Sequence, residues 1–236
     1  MLEITGLKKH FGALKVIDGV DLTVTRGEVL GVLGPNGAGK STLFNLISGN
    51  LRPTAGRIVY DGADLGQQRP WTRTRAGIGR TFQVPKPFLH LSVFENVLVA
   101  ATHGGGATIA QARPEANRIL DLCGLTERSR TPAGELSLLD LKRLELAKGM
   151  ATKPRLLLLD EIAGGLTDHE CGALLAILDA IKSEGVTIVW IEHVIHALMR
   201  VATRLVVLAD GTLIANGAPA KIMADPTVRD LYLGVA

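Results

Sequence analysis

The segment GPNGAGKST, at positions 34–42, constrains the fold of this chain more than any other part of its sequence. It follows an apolar run, residues 28–33, that predicts a buried strand. It leads into a stretch, residues 40–48, that predicts an apolar helix ended by Gly49. A strand joined to a helix by a glycine-rich loop is typical of α/β folds. The segment therefore predicts an α/β protein.

The same segment matches G-x-x-x-x-G-K-[ST], which predicts a loop that surrounds phosphate groups. Glycines let successive backbone N–H groups point at one anion, and the following helix adds the positive end of its dipole. Lys40 can reach the β- and γ-phosphates of ATP, and the Ser41 hydroxyl can bind Mg²⁺. The alternative is a structural turn, but a chance match arises in roughly one chain in a hundred of this length. The predicted nucleotide-binding residues are Asn36, Gly37, Ala38, Gly39, Lys40, Ser41 and Thr42.

Two acids, Asp160 and Glu161, end a second apolar run, residues 155–159. Open α/β sheets bind ligands at the carboxyl ends of their strands. We expect Asp160 to hold Mg²⁺ and Glu161 to orient or deprotonate the water that attacks the γ-phosphate. For the pair taken alone, a solvated strand end remains the alternative.

Two further polar residues follow predicted strands. Gln83 comes after residues 77–82 and can bind Mg²⁺ or its water, and His193 comes after residues 187–191 and can donate a hydrogen bond to the γ-phosphate. On spacing alone, each is more often ordinary polar surface. His196 is expected on a helix surface.

Strand and helix patterns alternate along the chain, which favours a mostly parallel sheet with helices on both faces. Near the N-terminus, strands are expected at residues 2–5 and 20–24, with His10, Phe11 and Gly12 in a loop between them. Near the C-terminus, the pair Asp210-Gly211 predicts the turn of a hairpin.

The middle of the chain, from about residue 84 to residue 150, has a mainly helical pattern. We expect a capping box that begins at Ser92, a helix over residues 114–123 and another helix that starts at Ser137. The glycines at 104–106 predict a mobile linker.

Composition narrows the class of protein. With 47% hydrophobic and 4% aromatic residues, the chain can bury an aliphatic core, and its net charge of +3 includes no basic run, which disfavours a nucleic-acid platform. No apolar run approaches the roughly 18 residues that cross a bilayer, and no signal segment is evident, so no pore is expected. Cys123 and Cys171 lack metal-ligand spacing and are expected to be inert core thiols. The densest basic cluster, either a contact for acidic groups or solvated surface, is Arg69, Arg73, Arg75 and Arg80.

The order of these motifs resembles the nucleotide-binding subunit of an ABC transporter, over nearly the whole chain. The resemblance implies an α/β fold made of a P-loop NTPase core with a mostly parallel sheet, an antiparallel β part at the N-terminus, and an inserted α-helical subdomain. It implies one ABC ATPase domain over residues 1–236. The core, residues 1–83 and 151–236, would hold the nucleotide site, and the helical subdomain, about residues 84–150, would hold the signature motif.

The resemblance also implies roles for individual residues. Phe11 matches the aromatic residue that stacks on adenine, with Val16 nearby, and Ser137 matches the residue that meets the ATP of a second subunit. The implied catalytic residues are Glu161, His193 and Gln83, and the implied Mg²⁺ ligands are Ser41, Gln83 and Asp160.

Several motifs look like the ATPase subunits of branched-chain amino-acid importers: GRTFQ at 79–83, LSVFENV at 91–97, IEH at 191–193, ANG at 215–217, and the ending Tyr232-Leu233-Gly234. The implied partners are membrane permease subunits, a second ATPase subunit (identical or different) and, indirectly, a solute-binding protein. The implied location is peripheral, on the cytoplasmic face of the inner membrane. In this arrangement, the helical subdomain and the segment from Gln83 to Phe88 would carry motion to the permease, and Phe88 would be either a docking anchor or a core residue.

Related urea and amide importers share much of this pattern, so the solute stays open. Two other functions are weighed as alternatives. A soluble nucleotide-gated clamp usually carries two ATPase halves or a coiled-coil insert, which this chain lacks. A small-molecule kinase would use the same phosphate loop, but the Ser137 helix and His193 argue against it.

The chain departs from the family pattern at three places. The usual signature L-S-G-G-Q continues here as Leu138, Leu139 and Asp140, which we interpret as variation rather than loss: contact with the γ-phosphate is weakened, but Ser137 and the helix dipole remain. Ile162 replaces the usual Pro after Glu161. Thr167 stands where the family usually has Asp, and this change bears on communication between sites.

Overall fold

In the computed structural model of the chain, the backbone is described for residues 1–233 and the side chains for residues 1–231. The motif Tyr232-Leu233-Gly234 therefore lies outside the described side chains. The strands are β1 (Leu2–Phe11), β2 (Leu14–Val24), β3 (Val29–Leu33), β4 (Ala55–Tyr60), β5 (Ala63–Asp64), β6 (Ile78–Arg80), β7 (Leu156–Asp160), β8 (Thr187–Ile191), β9 (Arg204–Ala209) and β10 (Thr212–Gly217). The α-helices are α1 (Lys40–Ser48), α2 (Pro70–Arg75), α3 (Val93–Val99), α4 (Ile109–Leu122), α5 (Leu138–Ala151), α6 (Asp168–Ser183), α7 (Ile195–Val201), α8 (Pro219–Ala224) and α9 (Pro226–Leu233).

The chain folds into two compact units. The first unit contains Met1–Pro70 and the chain from Thr187 onward, and the second unit contains Trp71–Val186. The predicted division into a core and a helical subdomain at about 84–150 stays a prediction.

The first unit holds an antiparallel sheet in the order β2-β1-β4-β5. The alternation of buried and exposed side chains in β1 and β2, such as buried Leu22 and Val24 around exposed Thr23, explains why one face of this sheet packs on the core. In the same unit β3 pairs in parallel with β8 and β9, and β10 is antiparallel to β9. All five residues of β3 and of β8 are buried, as expected for strands covered on both faces. The predicted α/β class is confirmed.

The second unit pairs β6 with β7 in parallel and packs α3, α4 and α5 against one another. Reciprocal capping boxes begin three of its helices: Ser92 with Glu95, Thr108 with Gln111, and Thr167 with Glu170. Within residues 1–233, no helix combines the length and apolar character that crossing a membrane requires.

Three local predictions are wrong: the start of one helix, the end of one strand, and the linker at residues 104–106. The helix predicted over residues 114–123 begins at Ile109, because Thr108 and Gln111 cap it there and Pro114 is accommodated inside it. His10 and Phe11 belong to β1 rather than to a loop, because the β1–β2 ladder extends to the pair Phe11 and Leu14.

Of the glycines at 104–106, Gly104 and Gly105 lie in a packed turn rather than an open linker, while Gly106 is exposed. Ala100–Gly104 is a π-helical turn that continues α3. A Cβ atom on Gly105 would lie 2.7 Å from the carbonyl oxygen of Ala101 and 2.8 Å from that of Ala151. The turn is therefore held against the end of α5 by contacts that only glycine permits.

The two cysteines are buried, as predicted. Burial raises the pKa of the Cys123 thiol to about 12. This thiol is therefore protonated and unreactive at neutral pH.

The packing of Gly105 leads to a test of stability. The φ of Gly105, −81°, suits any residue, so alanine at this position would cause no backbone strain. The effect of Gly105→Ala should therefore come only from the steric clash of its Cβ atom with the two carbonyl oxygens. We expect it to lower the free energy of unfolding by about 1–3 kcal/mol, measured by urea denaturation. Gly172→Ala in α6 is the matched control: its Cβ meets nothing within 4 Å, and it should stabilise the protein by about 0.5–1 kcal/mol. Equal stabilities of the two variants would contradict the close packing at Gly105.

Candidate functional site

The loop between β3 and α1 is fixed by close backbone approach at both ends. A Cβ atom on Gly34 would lie 2.1 Å from the carbonyl oxygen of Leu208, and one on Gly39 would lie 2.6 Å from that of Val16. Both glycines also have positive φ angles, 153° and 100°. The loop is therefore confined between β9 and β2, and no other residue type fits at either end.

The lysine of the loop folds back over it. The Lys40 ammonium donates hydrogen bonds to the carbonyl oxygens of Gly34 at 2.6 Å and Pro35 at 2.9 Å, and its side chain is almost fully buried. The positive charge of Lys40 therefore lies beside the curled backbone at the start of α1. A phosphate group placed there would be attracted by this charge and by the N-terminus of the helix. Of the other predicted loop residues, Asn36, Gly37 and Ser41 are exposed, Thr42 is half-buried, and Ala38 and Gly39 are buried.

The residues predicted to meet the base lie in the same unit. Phe11 ends β1 with its ring half exposed, and the Lys9 ammonium lies 4.8 Å from the ring centre. Val16 is half-buried in β2, and its carbonyl oxygen is the atom that faces Gly39. An exposed aromatic ring on β1 and a strand that borders the loop suit the stacking of a planar base.

In the second unit, the side chains of Gln83 and Glu161 are brought together. Glu161 directly follows β7, and the Gln83 amide nitrogen donates a hydrogen bond to its carboxylate. Glu161 has a φ of 47°, a left-handed conformation that is uncommon for residues other than glycine. A cavity of about 410 Å³ borders this pair, and it is lined by Gln83, Val84, Pro85, Leu138, Lys142, Glu161, Gly164 and Gly165.

Asp160, the last residue of β7, is buried and forms an ion pair with Arg80 at 3.1 Å. Sequence reasoning placed Arg80 in a basic cluster and in the motif GRTFQ, and it assigned no contact to this residue. Its position at the end of β6, which pairs in register with β7, explains the contact. Arg73 of the same cluster is also almost fully buried, so a fully solvated cluster is excluded.

Ser137 caps α5, as predicted, by accepting a hydrogen bond from the Asp140 N–H at 3.2 Å. The Asp140 carboxylate pairs with Arg143 at 3.2 Å and lies 4.0 Å from Arg128. Two guanidinium groups therefore offset the negative charge that this departure from L-S-G-G-Q introduces. The Leu138 side chain lies near Gly165, since a Cβ atom added to this glycine would lie 3.3 Å from it.

His193 follows β8 in the first unit with an exposed side chain. The neighbouring Glu192 is buried, and its carboxylate accepts hydrogen bonds from the N–H groups of His193 at 2.9 Å and Val194 at 3.3 Å. Glu192 thus fixes the backbone that carries the imidazole. Sequence reasoning missed this residue, although an acid directly after an apolar strand was the signal used for Asp160. His196 is exposed on α7, as predicted.

Phe88 was expected either to anchor a partner or to join the core. Its ring is 54% exposed, so the core alternative is wrong. The buried Asn96 holds its backbone by accepting from the Phe88 N–H at 2.8 Å and donating to the Phe88 carbonyl at 3.1 Å.

Similarity to known proteins now decides the family. The model of the ABC transporter family matches residues 17–164. The chain belongs to the ABC transporter family. Members of this family hydrolyse ATP to power transport, so the chain is an ATPase.

Relatives and solved structures cover this ABC ATPase from end to end. It is 37% identical to the high-affinity branched-chain amino acid transport ATP-binding protein BraF of Pseudomonas aeruginosa and 34% identical to LivG of Escherichia coli K12; each alignment covers 100% of the chain and 98% of the relative. A crystal structure of the ADP conformation of an ATP-binding cassette of an ABC transporter superposes with a TM-score of 0.91 at 30% identity, covering 99% of this chain and 98% of the other. A nucleotide-free ATP-binding cassette gives a TM-score of 0.89 at 30% identity, covering 99% of each chain.

The position of Lys40 leads to a binding test. Lys40→Ala should weaken ATP binding by about 10- to 100-fold, because a charge-assisted contact to phosphate is lost. Isothermal titration calorimetry measures this change directly. Lys221→Ala, a change at an exposed position of α8 in the same unit, is the control and should bind ATP as the unaltered protein does. If Lys40→Ala bound ATP with unchanged affinity, the loop would not be the nucleotide-binding site.

Proposed function

We propose that this ABC ATPase binds Mg-ATP at the loop 34–42 and hydrolyses it to energise the uptake of branched-chain or related amino acids through membrane permease subunits. The observation that carries the proposal is its full-length similarity to ATP-binding proteins named for branched-chain amino acid transport. The proposed location is peripheral, on the cytoplasmic face of the cell membrane, where ATP is available to the site.

Nucleotide binding is assigned to the first unit. The loop amides and Lys40 hold the phosphates, and the exposed ring of Phe11, with Val16 nearby, packs on the adenine. The confinement of the loop by Gly34 and Gly39 supports this assignment, because it keeps the amides in one curled conformation before ATP arrives.

The residues assigned to Mg²⁺ suit that ion. The Ser41 hydroxyl, the Asp160 carboxylate and the Gln83 amide are oxygen donors, the kind that Mg²⁺ prefers. Because the Gln83 amide nitrogen is engaged with Glu161, its amide oxygen is the atom that remains for the ion. When bound, Mg²⁺ offsets the charge that develops on the phosphate oxygens.

Hydrolysis is assigned to Glu161, Gln83 and His193. The Glu161 carboxylate orients the attacking water or takes its proton, and the hydrogen bond from Gln83 restricts the directions that this carboxylate can take. The His193 imidazole donates a hydrogen bond to the γ-phosphate, and the backbone contacts of Glu192 support it.

A second ATPase subunit completes the site. Ser137 at the start of α5 meets the γ-phosphate of the ATP held by the partner, where the exposed helix end contributes its dipole. The pairing of Asp140 with two arginines supports this role for a helix that lacks the usual glycines, since it limits repulsion of the phosphate.

We assign contact with the permease to the segment 83–89. Val84, Phe88 and Leu89 are each more than half exposed, while Asn96 fixes the backbone beneath them. Pro85 and Pro87 stiffen the chain between these apolar side chains. A stiff segment with exposed apolar side chains can contact the permease, and its place directly after Gln83 links that contact to the binding and hydrolysis of ATP.

Glu161→Gln tests the assignment of the hydrolytic residue. The amide keeps the shape of the side chain but cannot take a proton, so turnover should fall by about 10²- to 10⁴-fold while ATP binding is retained. The bound ATP should also hold the protein as a dimer, which light scattering with nucleotide would detect. Turnover equal to that of the unaltered protein would remove Glu161 from its role.

Uptake by cells tests the solute. Cells that lack the gene should lose uptake of radiolabelled leucine, isoleucine and valine, with uptake of an unrelated sugar as the control. The unaltered gene should restore uptake, and the Lys40→Ala gene should not. Loss of urea or amide uptake with normal amino-acid uptake would assign the ATPase to that class of importer instead.

A further inference from the structure

Lys142, on α5, makes contacts that the proposed function leaves unexplained. Its side chain is almost fully buried, with 4% of its surface exposed. Its ammonium donates hydrogen bonds to the backbone carbonyl oxygens of Gln83 at 3.1 Å and Glu161 at 3.0 Å. Burying an ammonium group costs free energy unless the group is hydrogen-bonded. We therefore expect the hydrogen bonds of Lys142 to these two carbonyl oxygens to serve a function.

The two carbonyls belong to the two residues whose side chains are also joined to each other. Gln83 and Glu161 thus form a closed arrangement: their side chains are hydrogen-bonded, and their backbones share one cation. Glu161 also has the left-handed φ of 47°, which a glutamate keeps only when its surroundings hold it. The hydrogen bond from Lys142 is made at the carbonyl of this same residue.

The same face of α5 fastens the chain that follows Gln83. Lys142, Glu145 and Lys148 are three residues apart and therefore lie on one side of the helix. Glu145 accepts from the Lys86 N–H at 3.3 Å, and Lys148 donates to the Lys86 carbonyl at 2.7 Å. Of these three side chains, Lys142 is the one that also contacts Glu161.

We propose that Lys142 is a positioning residue for hydrolysis, which holds the backbone of Glu161 in its left-handed conformation and fixes Gln83 beside it. Through this contact the Glu161 carboxylate keeps the direction that water activation requires. The inference rests on the proposed function, because it takes Glu161 as the group that acts on the attacking water. Lys142 touches neither nucleotide nor water in this scheme and acts through the two backbones.

The test replaces the cation without removing the bulk of the side chain. In Lys142→Met, kcat for ATP hydrolysis should fall by about 10- to 100-fold, the loss typical when a supporting contact of an active-site group is removed. The dissociation constant for Mg-ATP should change by less than about threefold, since an effect confined to kcat is the mark of lost positioning. Lys142→Arg, whose guanidinium can donate to both carbonyls, should recover most of the turnover.

Two controls separate positioning from a general loss of structure. Lys182→Met makes the same change at a half-buried lysine of α6, in the same unit, and should leave kcat unaltered. In the background of Glu161→Gln, adding Lys142→Met should lower the residual turnover no further, because the group that Lys142 positions is already gone. A further drop as large as that in the single variant would overturn the inference.

The remaining outcomes also decide the matter. A Lys142→Met protein that loses ATP binding together with turnover would assign Lys142 to folding and contradict a positioning role. Normal turnover in Lys142→Met with lost turnover in Glu161→Gln would overturn this inference and leave the proposed function intact. Normal turnover in Glu161→Gln would overturn the proposed role of Glu161 and this inference with it.

Discussion

The loop between β3 and α1, where we propose that ATP binds, depends on the close approach of other backbone at both of its ends. Cβ atoms added to Gly34 and Gly39 would lie only 2.1 Å and 2.6 Å from the carbonyl oxygens of Leu208 and Val16. Strands from two different sheets thereby confine the loop, and the loop in turn sets the start of α1 and the position of Lys40. In the proposed function, a loop that is already curled loses little conformational entropy when ATP binds, so the rigidity at these two glycines would favour binding of the phosphates.

A second constraint lies in the other unit, at Gln83 and Glu161, two of the residues that we propose for hydrolysis. There, α5 makes contacts beyond its cap at Ser137. Its buried polar face contacts the backbone at Gln83, Lys86 and Glu161. Buried ions that are fully hydrogen-bonded specify one geometry, because each alternative would leave a charge unpaired. The departures from the family signature at Leu138, Leu139 and Asp140 lie at the start of this helix, before Lys142, the first residue of that face.

The sequence predicted the structure best where a short pattern of residues is compatible with only one local structure. The loop between a strand and a helix at residues 34–39, the helix from Lys40 to Ser48, the acids after an apolar strand, and the helix starts at Ser92 and Ser137 were all predicted at the positions where the structure has them. It was least informative where a pattern fits two outcomes. A proline near the start of a helix did not reveal that the helix begins five residues earlier, and three glycines in a row fit a packed turn as well as a linker.

By itself, the sequence determined the α/β class, the loop between β3 and α1, and the position of the acids at the end of β7, because these follow from short-range spacing between strand, loop and helix. Only the tertiary structure decided which groups meet across long stretches of chain: Arg80 with Asp160, and Lys142 with the backbones of Gln83 and Glu161. The residues in these three contacts are 80, 59 and 19 positions apart. Local propensity cannot specify such pairs, because they form only when separate strands and helices pack and each buried charge must find a partner.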